Sequence, residues 1–166
     1  MNAKQLRVFI SEVLLRFERQ FNTKDIQDKF TFSAPDAVDL LMLTAAQESH
    51  LGESIYQIGG GPALGIFQIE PATYRDLCDN YLRYQKQLGY ILSLYKIPGL
   101  SDELNLVGNL LYQVLVARLL YWRHHEFIPT TLEGRAALYK KYYNTPKGKA
   151  TVEEALANYK RYVEGK

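Results

Sequence analysis

The stretch from Ala37 to Gln47 constrains the fold more than any other part of the chain. Val38, Leu40, Leu41, Met42, Leu43, Ala45 and Ala46 leave almost no polar side to a helix of this length. A helix that is apolar nearly all round has to be enclosed by other elements, so it predicts a central core helix. Ser33, Ala34, Pro35 and Asp36 stand before it as a start signal: a capping hydroxyl, then proline and an acid for the first turn. Phe30 to Ser33 are expected to lead into it. Just past it come Glu48, Ser49 and His50, and after Leu51 a run containing Gly52, Gly59, Gly60, Gly61, Pro62 and Gly65. Such a long irregular segment is expected to be functional rather than a mere connection.

The remaining periodicity supplies the enclosing helices. A first helix is expected over Ala3 to Phe21, with Leu6, Val8, Phe9, Val13, Leu14 and Phe17 on its apolar face. Glu70, Pro71 and Thr73 open a helical stretch reaching about Tyr95, broken near Gly89, and ended by Pro98 and Gly99. Ser101, Asp102 and Glu103 begin another that runs to Trp122. A shorter helix follows over Leu132 to Tyr143. The segment Asn144 to Lys149 reads as a turn, and Thr151 to Val163 as a last amphipathic helix with a Thr151–Glu154 capping box. The fold class expected is therefore mainly α, with all 166 residues in one domain.

Composition narrows the functional classes. With 47% hydrophobic and 23% charged residues, the chain matches an ordinary folded domain, not a disordered one. Its 20 basic residues against 18 acidic ones are evenly spread, and without a basic stripe nucleic acid is not an expected partner. Cys78 is the sole cysteine, so no internal disulfide contributes, and a buried packing thiol is its expected role. Glu12, Arg16, Glu18 and Arg19 interrupt any secretory apolar region, and no apolar run approaches the length of a membrane span. Cytoplasmic synthesis without a signal peptide, no membrane insertion and a monomer are the corresponding expectations.

Glu48 is the first candidate for chemistry. At the end of an apolar helix its carboxylate meets the negative end of the helix dipole and partial desolvation, and both disfavour ionisation. A carboxyl group kept protonated near neutral pH is what general acid catalysis requires. His124, His125 and Glu126 lack the spacing of a metal site, and the Gly59–Gly61 run lacks the context of a phosphate loop, so neither metal nor cofactor is expected. Lys140, Lys141, Lys147 and Lys149 read as a solvated face that would also attract an anionic polymer.

Three segments occur in a particular order: Gln47-Glu48-Ser49; Gly65-Ile66-Phe67-Gln68-Ile69 followed by Pro71-Ala72-Thr73; and Tyr143-Asn144-Thr145-Pro146-Lys147-Gly148. With them the chain resembles the lytic transglycosylases of the goose-type-lysozyme-like fold over about residues 37–162. Asn105 is weakly similar to the Asn-Ile opening of a family helix. The resemblance implies a lysozyme-like domain whose central buried helix carries the catalytic Glu48 beside a glycine-rich cleft loop. It implies Gln68 as the cleft glutamine, Tyr143 and Asn144 as the pair that positions acid and substrate, and Ser49 and Glu70 as further substrate contacts. The partner implied is the peptidoglycan glycan strand. The acid would protonate the bond between N-acetylmuramic acid and N-acetylglucosamine, then take a proton from the C6 hydroxyl as a 1,6-anhydro ring closes.

The chain departs from that pattern at Gly59, where serine is common, at Pro62-Ala63, at Thr145-Pro146, at Glu70, which takes an apolar position, and in a slightly longer loop. Two alternatives accompany the reading. A lysozyme-type hydrolase would need a second carboxylate, for which Glu53, Glu70 and Asp76 are candidates, Glu70 best placed. Against that, Glu70 is expected to face the dipole of the helix at Pro71. An inactive peptidoglycan-binding or structural protein of the same fold is the other, with Gly59 as its hint. A bacteriophage endolysin or virion-carried enzyme, delivered to the wall by another agent, is the expected context.

Overall fold

The computed structural model describes residues 1–21, 31–57, 59–145 and 148–166. It is mainly α-helical, with α1 Ala3–Phe21, α2 Pro35–Ser49, α3 Pro71–Asn80, α4 Lys86–Ser93, α5 Asp102–Gly108, α6 Leu110–Trp122, α7 Leu132–Tyr139 and α8 Val152–Tyr159. Phe30, Pro146 and Lys147 lie outside the described residues.

The core forms around α2. Ala37, Leu40, Leu41, Met42, Leu43, Ala45 and Ala46 are all fully buried, enclosed by α1, α6, α7 and α8. Thr44, its one fully buried polar side chain, donates to the Leu40 carbonyl at 2.8 Å and meets the Tyr121 hydroxyl at 2.7 Å. No polar group is thus left unpaired on that helix side. The start is simpler than expected. Ala34, not Ser33, is the N-cap, with Pro35 and Asp36 in the first turn, while the Ser33 amide donates to the Glu18 carboxylate at 2.7 Å.

Helix α1 has the expected bounds but a slightly rotated face. Leu6, Ile10, Val13, Leu14 and Phe17 are buried, and Val8 is exposed. The stretch after Pro71 breaks at Tyr81–Gln85, through a short 3-10 turn at Leu82–Tyr84, rather than at Gly89, which lies inside α4. The expected single helix from Ser101 to Trp122 is two helices meeting at 103°. The bend follows from Asn109, whose side chain accepts from the Tyr112 amide at 3.1 Å and caps α6. Asn105 is fully buried. It serves that corner, accepting from the Ile97 amide at 2.8 Å and donating to the Ser101 carbonyl at 3.0 Å.

At the C-terminal end, α7 stops at Tyr139 and continues as a wider π turn over Lys140–Asn144. The capping box of Thr151 and Glu154 opens α8 as expected, and the expected end at Val163 falls in a second π turn. Among the described residues no single helix is long and apolar enough to cross a membrane.

Candidate active site around Glu48

Helix α2 ends abruptly. His50 and Leu51 both adopt left-handed backbone, at φ 52 and φ 59, with their amides donating to the carbonyls of Ala46 at 3.2 Å and Ala45 at 3.0 Å. Glycine usually takes such a stop. Two residues with side chains held there cost roughly 1 kcal/mol each, and the burial of Leu51 holds the turn in place. The stop fixes where Glu48 lies relative to the loop that follows.

That loop is tied down from three sides. Ser49 is buried, and its hydroxyl donates to the Ile66 carbonyl at 2.6 Å while accepting from the Gly52 amide at 2.9 Å. The Gln113 side chain on α6 accepts from the Ile66 amide at 2.8 Å and donates to the Val107 carbonyl at 2.9 Å. Tyr143 donates its hydroxyl to the Phe67 carbonyl at 2.8 Å. Gly65 is required by this closeness: at φ 73, a Cβ there would lie 2.3 Å from both the Gln113 Oε1 and the Leu106 carbonyl. Short antiparallel bridges from Leu64 to Tyr56 and to Ile69 complete the loop.

Between this loop and the π turn lies a cleft of about 540 Å³ whose walls include Glu48, Gln57, Gln68, Glu70, Tyr143, Asn144 and Lys149. Five of the six expected site residues therefore meet in one place. The sixth, Ser49, does not line the cleft; it is spent on the Ile66 carbonyl and acts as a structural tie. Gln68 holds a left-handed backbone at φ 47 and donates its amide to the Gly65 carbonyl at 2.8 Å.

Glu48 is partly buried, and its Oε1 accepts from the Tyr139 hydroxyl at 2.6 Å. Desolvation raises its pKa to about 7, the Tyr139 hydrogen bond pulls the other way, and the nearby Glu70 charge adds to the rise. The expectation that Tyr143 orients the acid is corrected here. Tyr139, one helical step earlier, holds Glu48, and Tyr143 holds the loop. The two rings stack at 6.0 Å between centroids, and Tyr143 stacks on Tyr121 at 5.3 Å. An aromatic wall thus stands behind the acid and keeps water from one side of it.

The three candidate second carboxylates separate clearly. Asp76 accepts from Asn80 and is paired with Arg123 at 2.6 Å, and the Asn80 hydrogen bond followed by the Arg123 guanidinium holds its pKa below the usual carboxylate range. Glu53 is exposed and lies 3.5 Å from His50. Only Glu70 shares the cleft with Glu48. It occupies the N-cap position of α3, next to the positive end of that helix, and its side chain makes no hydrogen bond to the helix.

Sequence reasoning missed Tyr139 and Gln113. Both carried a signal: Tyr139 sits four residues before Tyr143 on one helical face, and Gln113 is the one amide side chain in a helix that is apolar apart from it, Arg118 and its tyrosines. Lys140 departs from the expected solvated face, since its ammonium donates to the Asn144 side-chain oxygen and the Gly148 carbonyl, both at 2.8 Å. His124 stacks on Tyr142 at 3.9 Å, Glu126 pairs with Lys141, and no metal-binding cluster occurs among the described residues. Cys78 is partly buried, with its thiol pKa pushed up by desolvation. No family model matches the chain, and no characterised protein or solved structure matches it.

Proposed function

We propose that the chain cleaves the glycan strand of peptidoglycan between N-acetylmuramic acid and N-acetylglucosamine by a lytic transglycosylase reaction, in a lysozyme-like domain. The observation that carries this reading is Glu48: a carboxyl group with pKa about 7, held by a phenol, on the floor of a polar cleft. Near neutral pH a good fraction is protonated and able to donate to a glycosidic oxygen. The resulting carboxylate, still held by Tyr139, takes the proton from the muramic C6 hydroxyl as that oxygen closes on C1. Gln68 and Asn144 offer amides to sugar hydroxyl and acetamido groups. Lys149 offers a cation to the carboxylates of the peptide stem.

One observation favours a second reading, a hydrolase that inverts at the anomeric carbon. Glu70 shares the cleft and its carboxylate makes no hydrogen bond to the helix it precedes, and a carboxylate about 6.5–9.5 Å from the acid can activate water. Digestion of purified peptidoglycan in heavy-oxygen water, followed by mass analysis, distinguishes the two. Transglycosylation gives unlabelled 1,6-anhydro ends, about 18 mass units lighter than hydrolysis products, from both the parent and Glu70→Gln. Labelled reducing ends that disappear in Glu70→Gln would establish the hydrolase instead. No cleavage by either protein would remove both readings.

A further inference from the structure

The Tyr139 hydroxyl reaches Glu48 Oε1 at 2.6 Å from α7, a helix of only 8 residues. A displacement of about 1 Å ends a hydrogen bond of this length, so the placement of that short helix decides whether the acid is held. One turn before Tyr139, at the spacing that puts two side chains on one helical face, stands Arg135. It is 7% exposed, and its guanidinium gathers several acceptors. Nη1 lies 2.9 Å from Asp36 Oδ1, 2.9 Å from the Thr130 carbonyl and 3.2 Å from the Pro129 carbonyl, and Nη2 lies 3.5 Å from Asp39 Oδ2. Asp36 and Asp39 belong to the first two turns of α2, whose last turn carries Glu48. Helix α7 is thus fastened to both ends of α2. At 1.5 Å per residue, α2 rises about 18 Å between Asp36 and Glu48, whereas α7 rises only about 6 Å between Arg135 and Tyr139. The side chains at the two contacts span the rest, so the reach of the Tyr139 hydroxyl depends on where the guanidinium is anchored.

We propose that Arg135 is a positioning residue for the Glu48 acid: by clamping the start of α7 to Asp36 and Asp39, it sets the reach of the Tyr139 hydroxyl. The proposal rests on the reading of Glu48 as the working acid, but its geometry is independent of which glycan reaction follows. The turn that opens α7 shares the anchor. A Cβ on Gly134 would lie 2.4 Å from the Pro129 Cβ, so the bare glycine lets Pro129 fold against the helix and brings the Pro129 and Thr130 carbonyls onto Arg135. On the other side, Asp39 also pairs with Arg7 of α1, which donates to the Tyr159 hydroxyl of α8 at 3.0 Å. The clamp therefore refers α7 to the same frame that holds α1, α2 and α8 together.

The clamp acts in a defined direction. Tyr139 donates to the carboxylate and so favours the ionised form of Glu48; a clamp that holds Tyr139 in reach supports the release of the proton. Arg135 does not line the cleft, and its charge is matched by Asp36 and Asp39, so its effect on Glu48 travels through the helix rather than through space. The other titratable groups that face Glu48 are Glu70 from the segment before α3, Tyr121 from α6, and Tyr143 from the π turn. Lys149 also lines the cleft. None of them shares a hydrogen bond with Arg135 among the described residues, which makes its contribution separable from theirs.

The test is a double-mutant cycle read on Glu48 itself. The side-chain carboxyl carbon of Glu48 is followed by NMR against pH in the parent, Arg135→Lys, Asp36→Ala, Tyr139→Phe and the two double variants with Tyr139→Phe. Far-ultraviolet circular dichroism and thermal melting check that each is folded. Arg135→Lys keeps the charge but loses the planar fork, and Asp36→Ala removes one of its anchors together with a negative charge. Both are expected to raise the Glu48 midpoint by about half a pH unit. Charges acting through space predict otherwise: no change in Arg135→Lys and a fall in Asp36→Ala. In the Tyr139→Phe background neither substitution is expected to move the midpoint further, because the bond they govern is already gone. An unchanged or lowered midpoint in folded Arg135→Lys would overturn the proposal, as would a rise of equal size with and without Tyr139. Should Arg135→Lys fail to fold, Asp36→Ala, at the more exposed end of the pair, is judged by the same two criteria. Because the readout is the titration of Glu48, a protein inactive on peptidoglycan would remove the glycan reading without deciding the clamp.

Discussion

Helices α2 and α6 run through the same core, yet Glu48 on one and Gln113 and Arg118 on the other meet opposite surroundings. On α6, Gln113 is bonded at both ends of its amide. Arg118, buried to 3% exposure, donates to the Phe32 carbonyl at 2.9 Å and lies over the rings of Phe32 and Trp122; burial lowers its pKa to about 9. On α2, Glu48 has one phenol as its partner and otherwise opens on a cleft. A buried polar group whose bonds are filled by protein contributes to structure, and one left partly unfilled beside an opening is available for chemistry. The difference between the two helices is therefore a difference between holding the loop and using it.

The sharpest way to break this comparison is Glu48→Gln on one helix against Gln113→Leu on the other. Glu48 has a higher pKa folded than unfolded, so the native state holds its proton more tightly. Stability contributed by the neutral carboxyl is fully present below about pH 4.5 and is lost as pH rises toward about 7. Glu48→Gln escapes that loss. Allowing for the side that faces the cleft, the variant is expected to gain about 2–3 kcal/mol on the parent between pH 4 and pH 8, measured by urea unfolding at both values. A gap that does not widen would mean that Glu48 is as well solvated as an ordinary surface acid.

Gln113→Leu is expected to cost about 2–3 kcal/mol at any pH, because the Ile66 amide and Val107 carbonyl lose a buried partner. Unfolding curves at the same two pH values check this, and a neutral outcome would show that water replaces the amide.

These expectations rest on features of unequal visibility in the sequence. The bounds of α1 and the burial of α2 follow from periodicity, since hydrophobic spacing is a property of the residues themselves. The bend at Asn109 does not: an apolar pattern continues through it, and only tertiary use of Asn105 and Asn109 makes the corner. Glu48, Gln68, Glu70, Tyr143 and Asn144, which line one cleft, were legible as a set only through the resemblance of three ordered segments to a known family. The partner of the acid was not, because Tyr139 and Tyr143 are chemically the same and only the geometry of α7 decides which one reaches Glu48. Ser49 was expected in the cleft from the resemblance of the Glu48-Ser49 pair, whereas its side chain is buried against the Ile66 carbonyl.

Smaller substitutions sharpen the division of labour between the two tyrosines. Tyr139→Phe removes the bond that lowers the Glu48 pKa, so the midpoint is expected to rise above about 7 by roughly one unit, or about 1.4 kcal/mol. The basic limb of the activity profile should move with it. Tyr143→Phe is expected to leave that limb in place and to cost about 1 kcal/mol of stability through the freed Phe67 carbonyl. If the two variants exchanged these effects, the assignment of acid holder and loop holder would be reversed.

The most direct test of the central claim is muropeptide release from purified peptidoglycan by the parent and by folded Glu48→Gln, followed by mass analysis from pH 5 to pH 9. Release by the parent is expected to decline as pH rises through about 7, with a loss of about 10²-fold or more in Glu48→Gln at every pH. Release by folded Glu48→Gln at a rate near that of the parent would contradict it.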